Sequence, residues 1–532
     1  MDAKEKILSG QTALGIEFGS TRIKAVLIDL DGNVLAIGVY DWENSLVNGV
    51  WTYSLEEIDR GVKGCYGSLR KEVEEKYGVT LSTTGSIGIS AMMHGYIAQD
   101  KDDVLLAPFQ TWRNTNTQES ADILTELFDF NIPLRWSIAH LYQRILDKEE
   151  HVNHLAYVAT LSAYMHRKLT GKHVIGIGDA SGMFPIDSEK LDYDQRMVEQ
   201  FEELIKDKGY AWKLREIFPK VLVAGDDAGS LTEEGAAYLD ETGNLKAGIP
   251  FCAPEGDAGT GMVATNSVGP RTGNVSAGTS TFAMLVMEKS LSRMYREIDM
   301  VTTPSGYPVA MSHANNGTSD LNAWVKLFAE YSELMGQPVD IGRIYEALYT
   351  NSLDGDPDCG GLLAYGYYSG ENITMINEGR LAFLRTPNSK FNLKNFMRVN
   401  LFTSLGAVKM GMDILMKDEK MKVDRIMGHG GFFKTKGVGQ RYLAAAVNAP
   451  VTVMDTASEG GAWGIALLAA FLLREDKAQT LEDYLEKKIF SNLSGSTIAP
   501  TQEEVDGFED FMVRYKAGLE IEKKAIEVMD WE

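Results

Sequence analysis

Near the start of the chain, two β-rich apolar runs, "IKAVLID" and "NVLAIGVY", flank Asp31-Gly32, and this pattern predicts a β-hairpin. Leu55, Ile58, Val62, Tyr66, Leu69 and Val73 then recur at steps of three and four, the spacing of one buried helix face. "SIGIS" reads as a short strand. Further on, the pattern predicts a helical region over 135–169, and helix and loop from "WKLREIFP" to "GAAYLDETG". The apolar run "AGIPFCAP" reads as a strand ending at the glycine-rich "PEGDAGTG". Strands alternating with helices define the α/β class.

A second hairpin starts near Thr272. Its segment "GNVSAGTSTFAMLV" repeats the order of "LGIEFGSTRIKAVLI": a β-rich run, a glycine followed by hydroxyls, and another β-rich run. The two lie about half a chain apart, so the pattern predicts two related α/β domains, over 1–264 and 265–532, facing each other across a cleft. The second half continues with the helix "LKNFMRVNLFTSLGAVKMGMDILM" and a strand running into "GHGGFFKTKGVGQ". "VTVMDTASEGGAWGIALLAAFL" reads as strand, loop and buried helix, and a charged helical tail closes the chain.

Composition narrows the picture. A chain of 532 residues is long for one hydrophobic core, which agrees with two domains. A formal charge of −23 argues against a basic face for DNA or RNA, so no nucleic-acid partner is expected. The longest apolar run, Ala462 to Leu473, is too short to span a bilayer, and the N-terminal residues carry no signal-peptide pattern, so no membrane association is expected. Cys65, Cys252 and Cys359 lack ligand or disulfide-framework spacing and read as reduced thiols, which points to the cytoplasm.

Candidate chemistry sits in the loops. Glu17, Gly19, Ser20, Thr21 and Lys24 could cradle phosphate through backbone amides, hydroxyls and a lysine, with the acid on a divalent metal. The same residues also suit an ordinary tight turn. Asp257 stands at a strand end, where a carboxylate can take a hydroxyl proton, and equally where it could cap a helix. "AGTSTF", with Gly278 and Thr279, forms a third such loop; "GHGG", with Gly430 and Gly431, and "SEGGAWG" form a fourth group. Met93 and Trp112 could stack on a sugar, and His94, Arg113 and Asn114 could bond its hydroxyls.

Taken in order from Leu14 to Leu473, these motifs resemble those of the FGGY carbohydrate kinases. The resemblance implies two RNase H-like domains of the actin and sugar-kinase ATPase fold flanking a central cleft, and an ATP- and Mg²⁺-dependent transfer to a small sugar. It places Gly19, Ser20, Thr21 and Lys24 on the first phosphate loop, and Gly278 and Thr279 on the second. Gly430 and Gly431 fall on the adenosine side, and Asp257 on the catalytic base and the metal side with Glu17. "MMHG" looks like the Met-His-Gly of xylulokinases, which favours a ketopentose such as D-xylulose or ribulose. A homodimer is left open. The sequence departs from the family at Glu17, usually Asp; at Asn114 and Asn116, usually Asp and Arg; and at "SGEN", where the family has Gly-Glu-Arg. Rival readings are a kinase of another polyol or deoxy-sugar, an actin- or chaperone-like ATPase switch, and a sugar-binding regulator.

Overall fold

The computed structural model describes residues 1–454, 460–492 and 494–529. After β1 (Thr12–Phe18), the predicted hairpin forms as β2 (Arg22–Asp29) and β3 (Val34–Asp41) across the Asp31-Gly32 turn, with β1 pairing antiparallel to β2. Helix α1 (Leu55–Tyr77) starts where Ser54 accepts a hydrogen bond from Glu57 N–H and ends at Gly78 in the left-handed conformation. It buries the predicted face, Ile58 through Val73. Strand β4 (Ser86–Ala91) and the two-residue β5 (Glu255–Gly256) complete a five-stranded sheet, ordered β5-β4-β1-β2-β3, and helix α2 (Asp257–Ala264) leaves its edge.

The second sheet comprises β6 (Thr272–Ala277), β7 (Thr281–Val286), β8 (Asp299–Thr302) and β9 (Pro308–Ala314). After helix α3 (Leu393–Asp413), it continues with β10 (Arg425–His429), helix α4 (Val438–Val447) and β11 (Val451–Met454). Helix α5 (Gly460–Leu472), β12 (Gly495–Ile498) and the final helix α6 (Gln502–Val528) follow. The order is β8-β9-β7-β6-β10-β11-β12. Its inner five, β9-β7-β6-β10-β11, repeat the first sheet's β3-β2-β1-β4-β5, with the same antiparallel pairs on one side and parallel pairs on the other. The glycine-hydroxyl echo in the sequence therefore reports a real topological repeat.

Three segments differ from the sequence pattern. The helical region at 135–169 is two helices, Ser137–Leu146 and Leu161–Thr170, separated by a 3₁₀ turn and the strand Tyr157–Ala159, because Thr160 caps a fresh helix by accepting from Ala163 N–H. "AGIPFCAP" pairs through isolated bridges, Phe251 with Ile87 and Pro250 with Ser230, rather than as a continuous strand before β5, since Pro250 and Pro254 have no N–H to give a neighbouring strand. The apolar helix α5 belongs to the second half of the chain, yet it packs on the first sheet. Trp463 Nε1–H donates to Gly32 O at 2.9 Å, and Ser86 Oγ–H to Ala469 O at 2.7 Å. Burial on nearly every face explains its lack of an apolar stripe. Among the described residues, no helix is long and apolar enough to cross a membrane.

Candidate active site

The repeat places working loops at the carboxyl ends of parallel strands, where open α/β sheets gather ligands. Phe18, at the end of β1, lies beside Ala91 of β4, and Gly256 of β5 lies on Ala91's other side. The Gly19–Thr21 turn, the Met93-His94 segment and Asp257 therefore converge. Asp257 Oδ1 accepts from Met93 N–H at 3.1 Å and from Ala258 N–H at 3.0 Å. Protein surrounds this carboxylate, yet the residue stays open to solvent, as expected at the floor of a cleft. Desolvation raises its pKa, against the pull of the two N–H donors and of the Arg135 charge.

Glu17 lies opposite Lys24 in the β1–β2 register, and its Oε2 accepts from Ala462 N–H, in the first turn of α5, at 3.0 Å. The approach needs Gly461, because a Cβ there would come within 2.2 Å of Glu17 Oε1. Burial, followed by repulsion from Asp257, lifts Glu17 to about 7, while Ala462 N–H and Lys24 pull it down. Among the described residues, no group of three or more His, Cys, Asp or Glu could hold a metal by itself. A pair of carboxylates instead fits Mg²⁺, which commonly takes one or two carboxylates plus phosphate oxygens and water.

Aromatic residues pin the first phosphate-loop candidate. Gly19 N–H donates to Arg22 O at 3.0 Å, closing the turn. Trp42 Nε1–H donates to Gly19 O at 2.7 Å and Tyr53 O–H to Ser20 O at 2.6 Å, the two rings being stacked 4.1 Å apart. Trp42 N–H donates to Thr21 O at 3.2 Å. Thr21 is exposed. Sequence reasoning missed Trp42 and Tyr53, which carry no spacing signal.

In the second sheet, Ser276 of β6 faces His429 of β10, so the Gly278-Thr279 and Gly430-Gly431 turns are neighbours. Gly430 takes φ 103°, and a Cβ on it would sit 2.5 Å from Ala277 O. Gly278 O accepts from Thr318 N–H at 2.8 Å and Thr318 Oγ–H at 2.9 Å, and Thr279 O from Gly317 N–H at 2.8 Å. Asn316, next in this brace, donates through both its backbone N–H and its Nδ2 to buried Glu371 Oε2, each at 3.2 Å. Glu371, noticed in "SGEN", thus acts from behind the loop.

On the sugar side, two of the expected residues already meet protein partners. Asn114 was expected to bond sugar hydroxyls, but its amide is committed to backbone: Oδ1 accepts from Trp51 N–H at 2.9 Å, and Nδ2 donates to Trp51 O at 2.8 Å and Thr111 O at 3.1 Å. Met93 was expected to offer a stacking face, but its side chain is 5% exposed and packs against Gly256, leaving its backbone N–H as the contributing group. Arg113 lays its guanidinium over the Trp51 ring at 3.7 Å. His94 adopts φ 69° and is buried beside Trp136, and its Nδ1–H donates to Gly182 O at 3.1 Å. Burial, with the neighbouring Arg135 charge, drives its pKa well below the usual range, so the ring is neutral with Nε2 as an acceptor. Trp112 is 39% exposed and donates its Nε1–H to Ser20 Oγ at 3.2 Å.

Two further features went unread in the sequence. Arg135 pairs with Asp299 of β8 at 2.5 Å, and Asn131 Nδ2 donates to the same carboxylate at 2.9 Å, tying the two halves together beside the site. Beneath Asp257 lies a buried acid pair. Glu255 accepts from Gly178 N–H at 3.2 Å and Asp179 N–H at 3.0 Å, while Asp179 accepts from Thr160 and Ser162 hydroxyls. Burial lifts Glu255 to about 8 and Asp179 to about 7, and each has a further carboxylate pushing it up. Ser458 and Glu459 of the "SEGGAWG" loop lie outside the described residues; its remaining Gly460–Gly464 opens α5.

The two sheets are topological repeats that carry glycine-hydroxyl turns and an acid, Asp257, at the ends of their strands. The models of the FGGY family of carbohydrate kinases match this chain in both parts, the N-terminal domain over residues 12–264 and the C-terminal domain over 273–473. The chain belongs to that family and is a sugar kinase. It is 21% identical to a xylulose kinase of Haemophilus influenzae, covering 90% of this chain and 96% of that one. A Lactococcus lactis xylulose kinase is also 21% identical, covering 97% and 99%. The fold matches that of a ligand-bound xylulose kinase from Lactobacillus acidophilus with a TM-score of 0.76 at 17% identity, covering 97% of this chain and 99% of that one.

Proposed function

We propose that this sugar kinase phosphorylates a ketopentose, D-xylulose or ribulose, on a primary hydroxyl, with Asp257 as the general base. The observation that carries the reading is the Met93 N–H to Asp257 Oδ1 bond, which sets the base against the "MMHG" segment and next to the Gly19–Thr21 turn. Similarity over nearly the full chain to xylulose kinases supports the choice of sugar.

In this reading the sugar lies against His94 and Trp112, with Arg113 at its edge, and its reacting hydroxyl gives its proton to Asp257. Phosphates of ATP are gripped by Gly19, Ser20, Thr21 and Lys24 on one side and Gly278 and Thr279 on the other, with Gly430 and Gly431 along the adenosine. Glu17 and Asp257 would hold Mg²⁺, which supplies charge neutralisation on the phosphates. Domains 1–264 and 265–532 close on the substrates, excluding water, with α5 as the segment of the second that rests on the first. The three buried free thiols suit a cytoplasmic enzyme, and a homodimer is its proposed assembly.

A coupled ATP-consumption screen over ketopentoses, polyols and deoxy-sugars tests this reading. Turnover with D-xylulose or ribulose and formation of the phosphosugar is the expected result. Turnover only with a polyol or deoxy-sugar overturns the substrate assignment. Sugar-independent ATP turnover without phosphosugar would indicate an ATPase switch, and none at all a regulator.

A further inference from the structure

We propose that Trp112 is a positioning residue for the phosphate grip: its indole N–H fixes the Ser20 hydroxyl, so a sugar-side side chain sets the geometry of the phosphate side. The inference rests on the reading of Gly19–Thr21 as a phosphate loop.

The backbone of that turn leaves little else to fix. Tyr53 O–H holds Ser20 O at 2.6 Å, Trp42 Nε1–H holds Gly19 O at 2.7 Å, and Trp42 N–H holds Thr21 O. With the peptide groups held on both sides, the remaining freedom of Ser20 is its side-chain rotamer, which has three staggered wells. Trp112 Nε1–H donates to Ser20 Oγ at 3.2 Å and selects among them. An indole N–H can only donate, so Ser20 Oγ must accept from it and keeps its own proton to give to an anionic oxygen. A hydroxyl polarised in this way is also the better donor.

Trp112 is in turn held without being covered. Thr111 Oγ–H donates to Trp51 O at 3.2 Å, Asn114 makes its three bonds to Trp51 and Thr111, and Arg113 lies over the Trp51 ring. The neighbours on both sides are anchored to Trp51, while the indole itself remains 39% exposed. This arrangement fixes the N–H vector and leaves ring surface for a ligand.

Titration calorimetry with the Mg²⁺ complex of the non-hydrolysable analogue AMP-PNP tests the proposal on wild type, Trp112→Phe, Ser20→Ala and the double variant, with adenosine as a second ligand. Phenylalanine keeps an aromatic face and removes only the donor. Trp112→Phe should weaken AMP-PNP roughly 3- to 10-fold, the effect of one hydrogen bond, and leave adenosine unchanged. Ser20→Ala should cost at least as much, and the double variant no more than Ser20→Ala alone. Wild-type affinity in Trp112→Phe, losses that add, or an equal loss for adenosine would overturn the proposal while leaving the kinase reading intact. Failure of the wild type to bind AMP-PNP would overturn both.

Discussion

Met93 and Asp257 lie 164 residues apart in the chain and meet through one hydrogen bond, Met93 N–H to Asp257 Oδ1, at 3.1 Å. The bond crosses from the end of β4 to the start of α2, so the first sheet's strand order, not any local motif, brings Asp257 and the "MMHG" segment together. Desolvation raises the Asp257 pKa, and a general base must be ionised. The rate should therefore fall with decreasing pH through a value above the ordinary carboxylate range. A pH profile of kcat/KM checks this; an acid limb at or below the ordinary carboxylate value would remove Asp257 from the role.

Glu17 has two duties that a variant can separate. It caps the N-terminal turn of α5 at Ala462 and stands near Asp257 on the proposed metal side. Aspartate is one methylene shorter and would give up the Ala462 bond, so Glu17→Asp should lose about 1–2 kcal/mol, as lost caps do, while retaining Mg²⁺-dependent turnover. Urea melts and initial rates measure the two effects independently.

Three acids, Glu255 and Asp179 buried and Glu17 partly so, should shape stability against pH. Glu17 is raised from 4.5 to about 7, Glu255 from 4.5 to about 8 and Asp179 from 3.8 to about 7. Each folded pKa lies above its unfolded value, so the native state binds more protons between the two, and stability falls as pH rises through that window. The melting temperature should thus decline from about pH 6.5 to 8, above the range in which His94, His140, His166, His173 and His313, all held neutral by burial, gain stability as pH rises and oppose the acids. Asp179→Asn, which keeps an acceptor for Thr160 and Ser162, should flatten the decline; an unchanged slope in that variant would contradict the assignment.

Asn114 and Glu371 are supports. Removing the three hydrogen bonds of Asn114, one buried and two part-buried, with Asn114→Ala should destabilise the protein by about 2–3 kcal/mol without altering the ranking of sugars, which a denaturation curve and the substrate screen decide. Glu371→Ala should raise KM for ATP on the order of ten-fold through the slackened Asn316–Thr318 brace, with KM for sugar unmoved. Glu371→Gln, which keeps an acceptor for Asn316, should restore most of the loss.

What could be read from sequence was periodic or repeated. The α1 face and the hairpin were legible because burial imposes its own spacing, and the two glycine-hydroxyl turns were legible because the topology repeats. Pairings across long separations were not. Nothing in "LRWS" announces that Arg135 binds Asp299, and nothing near Trp42 or Tyr53 announces that they hold the Gly19-Ser20 carbonyls. The partners of Asn114 were hidden for the same reason: nothing beside it in the chain announces that its amide bonds the backbone at Trp51 and Thr111. The helix α5 was recognisable as buried, but not that it is buried against the opposite sheet.

The most direct measurement is made on Asp257→Ala, with sugar binding followed by calorimetry and phosphosugar formation by mass spectrometry, using the sugar that the wild type phosphorylates. The account predicts sugar affinity within a few-fold of wild type and phosphosugar formation slowed by about 10²–10⁴, the usual contribution of a general base. Phosphosugar formed at close to the wild-type rate would contradict it.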